Sequence, residues 1–178
     1  MDKVSEFIEK MKSPDADVRY AAWRAAGPVG APAIASLADL AASPDKGVAK
    51  SARGALQTIV HYAARPGARA DAHAVSVELL KVAADSERPQ SVRAEALHLI
   101  GFTADSRTVP GVARLLADAP VRDEARMALE RIPGSAATGA LRQAAQAAPG
   151  DFRPALQQSL HNRALTRKTA GLLEAGRS

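Results

Sequence analysis

The amino-acid sequence predicts an all-α fold in which short helical hairpins stack in a row. Three observations predict it. Apolar residues recur at i, i+4, i+7 and i+8, the spacing of one stripe on a helix of 3.6 residues per turn. That spaced set returns several times along the chain. The 47% hydrophobic fraction is mostly Ala and Leu while aromatics make up 3%, a balance that favours helix over strand.

The clearest copy is Ser91–Asp118. Its first helix carries Val92, Ala96, Leu99 and Ile100 on one stripe, and its second carries Val109, Val112, Leu115 and Leu116. Gly101 suits the end of the first helix, and Pro110 sits in the first turn of the second, where its missing N–H costs little. A hairpin this short cannot bury its apolar face alone, so it is expected to stack on copies of itself.

Taken in order, Asp2–Met11 reads as a single helix with Val4, Phe7, Ile8 and Met11 on one face, an end-piece (1–12) for the first hairpin. Ser13-Pro14-Asp15 returns as Ser43-Pro44-Asp45, each placing a proline and a capping acid before a helix. Counting from the first apolar residue gives the anchors Val18, Val48, Val92, Val121 and Phe152, at intervals of 30, 44, 29 and 31. Four positions on stand Ala22, Ala52, Ala96, Ala125 and Leu156; eight on stand Ala26, Leu56, Ile100, Leu129 and Leu160. Small residues at the first of these let helices approach closely, and the second mostly supplies bulk. The repeats are 13–42, 43–85, 86–118 and 119–148, with an incomplete fifth at 149–178, all in one domain. Second helices are expected at about Pro32–Ala42, Ala72–Ala84, Thr108–Ala117 and Ser135–Ala147. The 44-residue interval comes from a long first helix, Lys46–Ala64, and an insertion at Arg65–Ala70, expected at a loop edge and most open to proteolysis. The fifth repeat reads as Phe152–Asn162 followed by a short, polar closing helix, Leu165–Ala175.

Arg follows the anchor directly at Arg19, Arg93, Arg122 and Arg153; the second repeat has Ala49-Lys50 there instead. With VRYAAWRAA, VRAEALHLI and VRDEARMAL, the chain resembles the HEAT-repeat family from Ser13 to about Asn162. The likeness is to its short bacterial, phycobilisome-lyase-like repeats with a V-R-x-x-A-x-x-A-L first helix. The resemblance implies an α-α superhelix, HEAT/armadillo-like, of about four and a half hairpins, first helices convex and second helices concave. It implies little about activity, since one fold hosts many functions.

The chemistry-bearing residues are few. There is no cysteine, which removes disulfides, thiolate metal sites and cysteine nucleophiles. His61, His73, His98 and His161 include no i, i+4 pair and no HExxH signature. No phosphate loop, nucleophile elbow, dinucleotide fingerprint or EF-hand loop appears; Gly27-Pro28-Val29-Gly30 reads as a connecting turn. Asp123-Glu124 point apart on a helix and suit its first turn. The expectation is no enzyme, no metal and no cofactor. HEAT-like DNA glycosylases place an acid and aromatics on the concave face, but Trp23 has no matching acid cluster and is expected against the end-piece helix.

Two surfaces remain. The Arg ladder of Arg19, Arg93, Arg122 and Arg153 is expected to lock neighbouring repeats through acids or helix-end carbonyls. The second helices place Asp39, Lys81, Arg114 and Gln143 at equivalent outward positions, with Arg107 and Arg142 nearby. The function read from this is a non-catalytic scaffold that binds a protein or peptide partner through Lys81, Arg107, Arg114, Arg142 and Gln143. The alternative is nucleic-acid binding through the ladder or the basic C-terminal quarter. Beyond Ile132 that quarter holds Arg142, Arg153, Arg163, Arg167, Lys168 and Arg177 against Asp151 and Glu174, much of the formal charge of +5. A third reading makes the array a spacer in a larger secreted or redox protein. No window reads as a signal peptide or membrane span, so a cytoplasmic protein without a membrane partner is expected.

Overall fold

The computed structural model describes residues 2–175, with side chains through Thr166. All of its regular structure is helical: α1 (Lys3–Met11), α2 (Ala16–Arg24), α3 (Ile34–Ala41), α4 (Lys46–Ala63), α5 (Arg69–Ala84), α6 (Gln90–Thr103), α7 (Val109–Arg114), α8 (Arg122–Arg131), α9 (Ser135–Ala147) and α10 (Arg153–Ala175). Short 3-10 turns at Gly27–Val29, Ala31–Ala33 and Leu115–Ala117 extend or precede these helices. The chain forms two compact units, Met1–Ala104 and Asp105–Ser178, which part between α6 and α7, inside the 86–118 repeat.

In the first unit α1 packs on α2, α3 on α4, α4 on α5 and α5 on α6, and α2 also meets α4, α4 meets α6, and α3 meets α5. The starts follow from capping. Asp2 accepts from the N–H groups of Val4 and Ser5, Asp15 from Asp17, and Asp45 from Gly47 and Val48. In both Ser-Pro-Asp triplets the serine hydroxyl accepts from the aspartate N–H two residues on. The same turn is thus built twice. Those N–H bonds, from Val48 and then Gly47, hold the Asp45 carboxyl below its usual range.

The apolar stripes become the core. Val48, Val92, Val121 and Phe152 are buried, as are Ala22, Ala52, Ala96, Ala125 and Leu156, and Ala26, Leu56, Ile100 and Leu129. Val18 departs from the pattern at 39% exposure, because α1 lies beside α2 without closing over it; both line an open groove with Phe7 and Ala22. Gly101 does not end its helix, which continues to Thr103, where the Thr103 hydroxyl meets Ser76 of α5 at 3.0 Å. The insertion is also smaller than expected. Arg69 and Ala70 already belong to α5, so most of the extra residues lengthen α4 and α5. The short remaining linker is tethered: Arg65 lies 4.0 Å over the Tyr62 ring and donates to the Tyr62 carbonyl and the Asp71 carboxylate.

Trp23 has a neighbour that its sequence context does not show. Its indole lies on α4 at Gly54: a Cβ built at Gly54 would stand 2.1 Å from Trp23 Cε2 and 2.5 Å from Nε1. Glycine in a helix interior is disfavoured, so a mid-helix glycine here has a packing reason. Gly54→Ala should therefore lose stability, by about 1–2 kcal/mol, because overpacking outweighs the gain in helix propensity. In a Trp23→Leu background the same change should become neutral or favourable. Urea melts of the four variants check this; an equal cost in both backgrounds would overturn it.

In the second unit α7 packs on α8 and α9, α8 on α9 and α10, and α9 on α10. Pro110 stands in the first turn of α7, as the sequence suggests. The fifth repeat is not two helices. No Pro or Gly interrupts residues 155–170, and α10 runs unbroken to Ala175. The expected closing helix at Leu165–Ala175 is its last part.

Candidate interaction surface

The cations of the ladder are engaged. On α2, Arg19 Nη1 donates to the carbonyls of Ser13 and Pro14 at 2.6 and 2.9 Å, just past the end of α1. On α6, Arg93 is 4% exposed and its Nε donates to the Ala83 carbonyl at 2.8 Å, in the last turn of α5. On α10, Arg153 Nη2 donates to the Ala148 carbonyl closing α9 at 3.0 Å. The last carbonyls of a helix have no partner inside it and carry partial negative charge, so a guanidinium is a fitting cap. Arg122 differs: its Nη2 donates to Asp151 at 3.0 Å and its guanidinium lies 4.6 Å over the Phe152 ring. That pairing draws the Asp151 carboxyl below its usual range.

Two members of the set were missed by sequence reasoning. Arg53 stands one turn beyond Ala49 on the same face of α4 and donates to the Ala41 carbonyl ending α3, and to Glu95. Its i+4 position is the signal that could have found it. Burial still pushes the Glu95 carboxyl up, against the opposing pull of Arg53. The other is Arg163, counted above within the basic C-terminal quarter. It is 8% exposed and donates to the carbonyls of Leu129, Glu130, Ile132 and Gly134 and to the Thr138 hydroxyl. The basic C-terminal quarter therefore loses Arg153 and Arg163 to internal bonds. The side chains of Arg167, Lys168 and Arg177 lie outside the described residues.

The outward residues of the second helices divide between the units. Lys81, exposed on α5, pairs with Glu78 at 2.7 Å. Asp39 on α3 accepts from Arg88 at 2.6 Å, so the acidic end of the expected row is neutralised; Arg88 also meets Asp85 at 3.2 Å. In the second unit Arg107 binds Asp105 through two nitrogens, at 2.9 and 2.6 Å. Arg114 on α7 and Arg142 and Gln143 on α9 are exposed and have no polar partner among the described residues. Because α7 packs on α9, these three sit on adjoining helices.

The histidines form no cluster. His61 and His98 approach Phe102 edge to face, at 6.4 and 5.6 Å between ring centres. Among the described residues no three His, Asp or Glu side chains are grouped to hold a metal ion, and no helix is long and apolar enough to cross a membrane.

No family model and no curated protein matches the chain. Among solved structures it is similar to one titled as the crystal structure of an engineered protein from the Northeast Structural Genomics Consortium. That match has 18% identity over 92% of this chain and 97% of that one, with a TM-score of 0.29. Similarity this slight carries no argument about fold or function.

Proposed function

We propose that this chain is a HEAT-like array of helical hairpins that acts without catalysis, binding a partner protein through the outward face of its second helices. The observation that carries the reading is a division of labour among cations. Arg19, Arg53, Arg93, Arg153 and Arg163 are committed to carbonyls at or near helix ends, whereas Arg114, Arg142 and Gln143 are exposed and unengaged among the described residues. Contacts of α2 with α4, α3 with α5 and α4 with α6 in the first unit, and of α7 with α9 and α8 with α10 in the second, support stacking of hairpins. Stacked hairpins within a unit present side chains at regular spacing to a partner, with charge setting orientation and encounter.

The test captures partners from cell lysate with the full chain and two variants, then measures affinity for whatever is retained. Arg114→Glu should weaken binding by about 1–3 kcal/mol and leave the melting temperature unchanged. Arg93→Met should lower stability by about 1.5–3 kcal/mol, the contribution of a charged donor to a buried carbonyl, and leave the affinity of the folded protein intact. Binding that survives Arg114→Glu and falls steeply with added salt in a titration against duplex DNA would favour nucleic acid instead.

A further inference from the structure

We propose that an apolar groove in the second unit receives an acidic amphipathic segment of the partner protein, with one of its carboxylates on Arg122. The inference rests on the protein-interaction reading and adds the partner's chemistry. The groove, about 370 Å³, is lined by the turn after α7, the end of α9 and the start of α10. Ala113, Ala117 and Ala144 leave it open because their side chains are too short to meet across it, while Leu116, Phe152 and Leu156 supply its apolar lining. Phe152 and Leu156 are buried at the floor of the groove and Leu116 is half-buried at its side, and a groove between helices suits the apolar face of another helix.

Charge selects among occupants. Among the described residues Arg122 is the one charged residue lining this groove. One face of its guanidinium is covered by the Phe152 ring, and Nη2 is held by Asp151. The remaining donors, on Nε and Nη1, have no partner among the described residues. A partly desolvated guanidinium with unused donors is a carboxylate site, and its planar fork favours carboxylate over a point charge. The surroundings agree: residues 105–178 contain eleven Lys and Arg against seven Asp and Glu, and exposed Arg114 adjoins Ala113. A nucleic acid would satisfy the charge but leave the apolar lining in water.

The experiment titrates isotope-labelled full chain with two short amphipathic peptides that share Leu at helical spacing and differ in carrying Glu or Lys at the polar positions. The Glu peptide should shift the amide resonances of Ala117, Ala144 and Phe152, and the Lys peptide should bind about tenfold more weakly or not at all. Asp151→Asn, which releases Arg122, should tighten the Glu peptide by about two- to fivefold, an effect that a purely structural ion pair would not produce. Ala147→Trp, which fills the groove from an exposed position, should weaken it about tenfold. Equal binding of the two peptides, no shift at the groove, or a duplex DNA that shifts the same amides at lower concentration would overturn the inference. Shifts confined to Arg107, Arg114, Arg142 and Gln143 would overturn it too, yet leave the broader interaction reading standing. That reading fails separately if nothing captured from lysate depends on Arg114.

Discussion

Replacing Arg163 by Met should cost the second unit about 3–5 kcal/mol. Hydrogen bonds from a charged donor contribute about 1.5–3 kcal/mol each and do not simply add, and buried carbonyls left without a donor keep their desolvation penalty. Arg163 serves the carbonyls of Leu129, Glu130, Ile132 and Gly134 at 2.7–2.8 Å, and the Thr138 hydroxyl at 3.0 Å. One side chain of α10 thus closes the end of α8, the turn after it and the start of α9. Met keeps most of the hydrocarbon and removes only the donors. Arg163→Lys should recover less than half of the loss, because an ammonium cannot reach acceptors spread along both edges of a planar fork. Urea denaturation followed by circular dichroism gives the cost, and faster hydrogen exchange at the end of α8 locates it. A loss below about 1 kcal/mol would remove the clamp from the account.

Leu129→Ala should cost about 2–5 kcal/mol, the range for a buried leucine whose cavity closes incompletely. Leu129 is fully buried on α8, the helix that packs against α7, α9 and α10 together. Ile132, Leu141 and Leu156 are equally buried in the same unit, so a void there has few flexible neighbours to fill it. Met127 lies two residues away on the same helix and is 36% exposed. Met127→Ala should change stability by less than about 0.5 kcal/mol. The contrast tests the helical register directly, and similar costs at the two positions would refute it.

Periodicity made most of the helices legible. Spacing of apolar residues is local information, and Val92, Ala96, Leu99 and Ile100 announce their buried face without reference to anything distant. Capping is local as well, which is why Asp15 and Asp45 mark helix starts correctly. What escaped depends on partners far along the chain. Arg163 looks like one more cation in a polar helix, since its acceptors lie some thirty residues earlier. Arg88 and Asp39 meet across a separation of 49 residues, so the row of outward residues could be read by type but not by whether each was engaged. The long helix α10 reads as shorter from sequence because polarity after Asn162 resembles fraying, although no Pro or Gly interrupts residues 155–170.

Trp23 and Gly54 have a consequence for how the first unit is ordered. Hairpins that share one pattern are in principle interchangeable parts, and nothing in the recurring apolar stripe says which should sit beside which. The indole needs a neighbour without a Cβ at one position. Counted from the apolar anchors, the positions matching Gly54 on α6, α8 and α10 are His98, Met127 and Gln158, none of which could admit it. Deleting residues 43–85 would present Trp23 with a side chain where it now finds backbone. The pair works as an address, and it makes the first hairpin specific for the second.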